Sequence, residues 1–327
     1  MLYKNKTILI TGATGSFGNA FIEYLINKKI NFKKIIVFSR DELKQFSMKK
    51  KLSAKEKKKF RFFIGDVRDK DRLVRAFENV NYVIHAAALK QVDTAEYNPS
   101  EFIKTNILGA ENIIEAAIHN NVEKVIALST DKATAPINIY GATKLCSDKL
   151  FSAANNIIGK RKIKFSIVRY GNVMNSRGSV IPFFKSINPK SFYPITHEKM
   201  TRFNITLQES VEMVIKALKN CKGGEIFIPK MKSYKILDLV KAISSKAKIK
   251  IIGIRPGEKI DEELITPNDS FNTFDLGNYY VIINPAVKRA FKYYKKFKKF
   301  PEGSSYNSLT NNRYMSVENI KKLLQNI

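Results

Sequence analysis

The chain has 327 residues, of which 44% are hydrophobic, and 58 Lys and Arg stand against 29 Asp and Glu for a net charge of +29. This length gives core enough for one large or two modest domains, and the composition excludes a disordered or fibrous chain. No run of 18 or more apolar residues occurs, which excludes a membrane-spanning helix.

The N-terminus runs straight into an apolar stretch at residues 7–10, without the apolar core and small-residue cleavage site of a signal peptide, so none is expected. Cys146 and Cys221 are too few for a disulfide framework and lack metal-ligand spacing. They read as reduced, structural thiols in a cytoplasmic chain with no metal site. The charge attracts polyanions in general, and Lys-rich runs at 49–51, 57–59 and 295–299 resemble nucleic-acid patches. Only 12 of the 58 basic residues are Arg, however, and base readers lean on Arg. A solvated, lysine-coated surface is the better account of the charge, and the same charge would also favour a substrate carrying a diphosphate.

Over the first 170 residues, apolar runs alternate with amphipathic stretches. Strands are expected at 7–10, 34–38, 61–64, 82–86, 124–128 and 165–168, and a long helix at 101–121. Several of the strands are unbroken apolar runs, as parallel strands buried on both faces require. The pattern predicts an α/β, Rossmann-type doubly wound parallel sheet. After Arg169, Gly and Pro break the rhythm. Helices at 206–220 and 236–245 and strands at 225–229 and 248–254 follow, and a short helix at 316–325 closes the chain. The expected division is a dinucleotide-binding domain over 1–170, rejoined by 198–221. A smaller C-terminal α/β substrate lobe takes 171–197 and 222–327.

The first strand leads into Thr11-Gly12-Ala13-Thr14-Gly15-Ser16-Phe17-Gly18. Glycines at this turn let the backbone approach a pyrophosphate, and the following helix presents its N–H groups to it. Ser39-Arg40-Asp41 ends the second strand. The arginine fork suits the 2′-phosphate of NADP, while Asp41 keeps NAD open. Asp66-Val67 is placed to hold adenine. Ala86-Ala87-Ala88 offers either a thin wall for the nicotinamide half or simple close packing.

Tyr140 and Lys144 lie i, i+4 on one helix face. A neighbouring ammonium lowers a tyrosine's pKa, so Tyr140 can take an alcohol proton while the carbon gives up hydride. Asp131 and Lys132 sit between the preceding strand and that helix, and project into the same crevice. Once a sugar alcohol is oxidised to a ketone, the adjacent C–H becomes acidic. A base can remove it while an acid protonates the hydroxyl one carbon further on, and water leaves. Return of the hydride makes the whole a redox-neutral dehydration.

With these residues in view, the chain resembles the inverting UDP-N-acetylglucosamine 4,6-dehydratases, extended short-chain dehydrogenase/reductases that open the pseudaminic acid pathway. The likeness is carried by the Gly-rich turn, Ser39-Arg40-Asp41-Glu42-Leu43, His85-Ala86-Ala87-Ala88-Leu89-Lys90, Thr130-Asp131-Lys132, the Tyr140–Lys144 stretch, Pro194-Ile195-Thr196, Met200-Thr201-Arg202-Phe203 and the segment from 254 to 259. It implies that Tyr140, assisted by Lys144, deprotonates the C4 hydroxyl, with Thr130 on the C4 oxygen. Lys132 would take the C5 proton and Asp131 protonate the departing C6 hydroxyl. Reprotonation of C5 from the opposite face would give UDP-2-acetamido-2,6-dideoxy-β-L-arabino-hex-4-ulose. The resemblance also implies cofactor contacts from Thr11, Gly12, Thr14, Gly15, Ser16, Phe17, Gly18, Ser39, Arg40, Asp66, Val67, Ala86, Ala87, Lys90, Tyr140 and Lys144. It puts Lys90, Asn172, Arg177, Val180, Thr196, Arg202, Arg255 and Glu258 around the UDP-sugar. It further implies a cytoplasmic hexamer with no membrane or specific nucleic-acid partner. Two departures stand out: Gln91 and Asp93 occupy positions where the family commonly shows His and Pro, and the stretch beyond residue 288 matches poorly.

Three other readings stay open. A UDP-sugar 4-epimerase needs Thr130, Tyr140 and Lys144 but has no use for Asp131-Lys132. A capsule-type 4,6-dehydratase that epimerises C5 often lacks the tyrosine. An NADP-sensing, nucleic-acid-binding protein would explain the charge but not the proton-transfer set.

Overall fold

The computed structural model describes residues 3–174, 179–188 and 191–325. Six stretches form its frame: Thr7–Thr11 (β1), Lys34–Ser39 (β2), Phe60–Ile64 (β3), Tyr82–His85 (β4), Lys124–Thr130 (β5) and Lys164–Tyr170 (β6). They lie in the order β3-β2-β1-β4-β5-β6, all parallel. Successive side chains leave opposite faces of a strand, and the core divides accordingly. Ile8, Ile10, Ile35, Val37, Ile84, Ile126 and Val168 join one cluster. Their neighbours Leu9, Ile36, Val83, Val125, Ala127 and Ile167 join another. Burial on both faces explains why these strands read as continuous apolar runs. The strand order reverses between β1 and β4, so the loops leaving their carboxyl ends part and open a crevice.

The second half departs from the expected division. Glu225–Pro229, read as part of the smaller lobe, pairs in parallel with β6 through Ile226 and Phe227. Tyr279–Ile283, Thr273–Asp275 and Lys298–Lys299 then extend the sheet antiparallel. An uncovered β6 would leave a ladder of unpaired amides at the sheet edge, and later chain supplies the partner. Helix Leu207–Asn220, started by a Thr206–Glu209 capping box, packs on helix Ser16–Asn27 of the first half. The smaller lobe has its own core, in which Ile181, Phe184, Tyr193, Ile195, Leu239 and Val240 meet Met315 and Ile320 from the end of the chain.

The helix expected over 101–121 is interrupted. Pro99–Phe102 and Gly109–His119 are α-helical, but Ile103–Leu108 between them is a π-helical turn. The wider turn carries Asn106, which accepts from Leu89 N and donates to Leu89 O, both at 2.9 Å, and also donates to Thr143 Oγ1 at 3.1 Å. The irregular turn thus ties the loop after β4 to the helix bearing Tyr140, and such bulges cluster at functional sites.

Candidate active site

One cleft of about 1200 Å³ runs along the carboxyl ends of β1 to β6 and continues between the sheet and the smaller lobe. Its nucleotide end is built from backbone. Gly12 has φ +63°, and a Cβ there would stand 2.8 Å from Ala87 N, so only glycine lets the two loops meet. Helix Ser16–Asn27 begins at Gly15 with no side-chain cap, aiming its amides and positive end at this cradle. The bare cradle and the helix end fit a dinucleotide pyrophosphate. Gly12, Thr14, Gly15, Ser16, Phe17, Ser39, Arg40, Asp66, Val67, Ala86, Ala87 and Lys90 line the cleft.

Thr11 lies behind that lining. Its hydroxyl pairs with His85 Nδ1 at 2.8 Å and accepts Ala86 N and Ala87 N at 3.2 Å. Gly18 is buried within the helix. Burial, with Lys144 nearby, pushes His85 down to about 3, so its ring is neutral at working pH. Asp41 caps the next helix, accepting from Lys44 N at 2.9 Å, and pairs with Lys44 Nζ at 2.5 Å. Arg40 is more than half exposed, 3.6 Å from Asp66. Burial raises the Asp66 pKa, but its bonds to Arg68 and the charges of Arg68 and Arg40 outweigh this and hold it below the ordinary value.

The catalytic end rests on charge. Thr130 closes β5 and caps the short turn Asp131–Ala133. Asn138 then starts helix Ile139–Ile157 by accepting from Gly141 N at 2.7 Å. A Cβ on Gly141 would sit 2.2 Å from Lys132 O, so the glycine lets this helix press against the Asp131–Lys132 turn. Asp131 Oδ1 accepts from Thr130 Oγ1 at 2.9 Å and from Lys132 Nζ at 3.0 Å. Lys132 Nζ also donates to Glu262 Oε1 at 3.0 Å. Asp131 is 1% and Glu262 2% exposed, and among the described residues Asp131 Oδ2 and Glu262 Oε2 have no hydrogen-bond partner.

The protonation pattern follows from this cluster. Burial, reinforced by Glu262, outweighs the Lys132 ammonium and raises Asp131 toward the neutral acid. Burial works against the Lys132 ammonium, yet Asp131 and Glu262 together raise its pKa. Burial would raise Glu262 too, but Lys132 and Arg202 overcome it and hold Glu262 as the anion. A carboxyl raised toward its acid form and an amine raised toward its ammonium thus stand in direct contact at the cleft wall.

Tyr140 departs from expectation in one respect. Burial pushes its phenol up to about 12, and the groups opposing this are Lys132 and a hydrogen bond with Thr130. The expected help from Lys144 is not among the main influences. Its Nζ donates to Leu128 O at 2.8 Å, and burial pulls its own pKa down. Lys90, also on the cleft, is lowered by burial and by Lys132.

Among the residues expected around the sugar, Asn172, Val180, Thr196, Arg202, Arg255 and Glu258 all line the cleft. Arg177 lies outside the described residues. Arg202 is committed to protein groups: it donates to the carbonyls of Thr201, Lys259 and Ile260, and its Nε lies 3.7 Å from Glu262. A fork spent in this way anchors a loop instead of standing ready for a diphosphate. Arg255 is half exposed, 3.8 Å from Asp93, where the chain departs from the residue the family commonly shows. Sequence reasoning missed Glu262 altogether. It sits in the run Asp261-Glu262-Glu263, 130 residues from Lys132, and nothing local marks which of the three is buried.

A doubly wound sheet with a dinucleotide cradle, and a Tyr-x-x-x-Lys pair beside a buried acid–base cluster, define a short-chain dehydrogenase/reductase-type enzyme. The chain belongs to the polysaccharide biosynthesis protein family, whose sequence profile matches residues 8–284. It is 49% identical to a UDP-N-acetylglucosamine 4,6-dehydratase (inverting) of Campylobacter jejuni, over 99% of this chain and 98% of that protein. It is 44% identical to a UDP-glucose 4-epimerase of Rickettsia bellii, over 100% and 97% of the two chains. The solved structure of Pen from Bacillus thuringiensis superimposes with a TM-score of 0.90 at 37% identity, covering all of both chains.

Proposed function

We propose that this protein removes water from UDP-N-acetylglucosamine across C5 and C6 with inversion at C5, giving UDP-2-acetamido-2,6-dideoxy-β-L-arabino-hex-4-ulose. The reading makes it an NADP-dependent hydro-lyase at the first step of a pseudaminic acid-type nucleotide-sugar route. The observation that carries it is the pairing of buried Asp131 with half-buried Lys132 beside Tyr140 and Thr130. An epimerase moves hydride at C4 and needs Tyr140, Thr130 and Lys144. It needs no second acid and base held out of water beside them.

When bound, the nicotinamide cofactor accepts a hydride and later returns it. Thr130 and Tyr140 hold the C4 hydroxyl, and Tyr140 takes its proton as Lys132 and Thr130 oppose the burial that favours the phenol. A C4 ketone acidifies the C5 proton, which Lys132 removes as Asp131 protonates the departing C6 oxygen. Arg40 favours NADP, because Asp41 is occupied at its helix cap and by Lys44. Lys90, Asn172, Val180, Thr196, Arg255 and Glu258 surround the UDP-sugar, with Arg255 facing the diphosphate. The family resemblance extends the reading to a cytoplasmic homohexamer, which light scattering of the purified chain checks.

The deciding experiment mixes the protein with UDP-N-acetylglucosamine, without reductant, in D2O. The sugar should lose one water and gain one solvent deuterium, with no net reduced cofactor. A product of unchanged mass would give the site to the epimerase reading that the Rickettsia relative's name favours.

A further inference from the structure

Lys132 has to act as a base from a fixed direction, yet its side chain ends in a freely rotating amine. An ammonium carries three hydrogens. Two are taken, one by Asp131 Oδ1 and one by Glu262 Oε1, each at 3.0 Å. Glu262 is in turn held from behind. Arg202 Nε lies 3.7 Å from the same Oε1, and the Arg202 guanidinium is locked by the carbonyls of Thr201, Lys259 and Ile260. The backbone of Glu262 is fixed as well, its N–H donating to Ser308 Oγ at 2.8 Å.

We propose that Glu262 is a positioning residue for the elimination: with Asp131 it fixes the rotation of the Lys132 amine, so that only its third position faces the substrate's C5 proton. This rests on the dehydratase reading above and deepens it. During elimination the Lys132 amine becomes ammonium as it takes the C5 proton. The C–H electron pair becomes the C5–C6 double bond, the C6–O bond breaks, and the Asp131 carboxyl gives its proton to the departing oxygen. Glu262 stays a carboxylate throughout. The carboxylate and ammonium left behind stay within the same 3.0 Å contact. A proton returned from Lys132 to Asp131 across their 3.0 Å hydrogen bond restores the acid and the base at unchanged net charge.

Among the described residues, the groups around Lys132 come from separate elements. Asp131 stands on its own turn, Glu262 follows the loop that carries Arg255, and Arg202 and Tyr234 face it from the paired strands Thr201–Ile205 and Lys232–Lys235. Lys90 comes from the loop after β4, and Tyr140 from the following helix. Glu262 is the anion among them whose removal leaves the proposed acid, Asp131, and the phenol, Tyr140, in place.

Two variants separate the pin from the charge. Glu262→Ala removes both. Its kcat for water loss should fall about 100-fold with KM nearly unchanged. Reduction of bound cofactor in a single turnover, which reports C4 oxidation, should persist. Glu262→Gln keeps an oxygen for Lys132 but removes the charge. It should recover most of the rate, and the alkaline limb of its kcat–pH profile should move to lower pH, because an anion beside the ammonium is gone. Water loss by Glu262→Ala at the wild-type rate, or cofactor reduction lost in equal measure with it, overturns the proposal. Should the alanine variant not fold, an unmoved alkaline limb in Glu262→Gln overturns it. Wild-type enzyme is the control on the underlying reading: if it releases no water from UDP-N-acetylglucosamine, that reading fails, whereas an indifferent variant of an enzyme that does dehydrate sinks only the role of Glu262.

Discussion

The two ends of the cleft are made of different materials. At the nucleotide end the working parts are backbone: a glycine at φ +63°, a loop 2.8 Å from where its Cβ would be, and a helix start. The glycine and the helix start are neighbours in the chain, and a single loop, 75 residues on, closes over them. At the catalytic end the working parts are buried charges, and they come from far apart. Lys132 meets Glu262 across 130 residues, and Arg202 closes the set from a third segment. A backbone cradle tolerates exchange of its side chains as long as the glycine stays. A buried charge cluster depends on every member, because removing one leaves another uncompensated in a low-dielectric site.

The largest test of this contrast is Lys132→Ala. Water loss should fall by about three orders of magnitude, within the range for removing a general base, while single-turnover cofactor reduction continues. Dehydration near the wild-type rate would remove Lys132 from the mechanism and erase the distinction between the two ends.

A smaller effect is expected at the one side chain proposed to read the nucleotide. Arg40→Ala should weaken NADP binding by about 10–100-fold, the worth of a charged hydrogen-bonded contact, and leave NAD binding nearly unchanged. Calorimetry with both nucleotides decides. Equal losses for both would mean that Arg40 only neutralises Asp66, 3.6 Å away.

The smallest effect concerns stability. His85, buried against Thr11 between the two ends, is depressed to about 3 from an ordinary value of 6.5. Its contribution is therefore fully present above 6.5 and is lost as pH falls toward 3, with a slope of about 1.4 kcal/mol per pH unit. Thermal melts of wild type and His85→Gln at pH 7 and pH 5 should differ, the wild type losing more on acidification. Parallel curves would mean that the ring is protonated in the folded protein.

The sequence marked the two ends unequally. The apolar runs exposed β1, β2, β4 and β5 most plainly, because inner parallel strands buried on both faces must be apolar; the edge strand β3 is only partly buried. The Gly-rich turn and Tyr140-x-x-x-Lys144 were visible because their geometry is local, set by glycine φ angles and by helical i, i+4 spacing. The break in the helix at Ile103–Leu108 was not visible: its cause is Asn106 reaching the loop after β4, and helical spacing carries no trace of a distant partner. Arg202 has the right chemistry for a diphosphate, but its surroundings engage it with carbonyls.

What the chain determined by itself is therefore the doubly wound core, the nucleotide cradle and the identity of the residues beside Tyr140. Which carboxylate faces Lys132, whether Lys132 or Lys144 acts on the phenol, and which later strand covers β6 were decided only by tertiary structure. The reason is physical: local torsions and periodic burial are written in adjacent residues, whereas the protonation of a buried charge depends on every group the fold brings within a few ångströms of it.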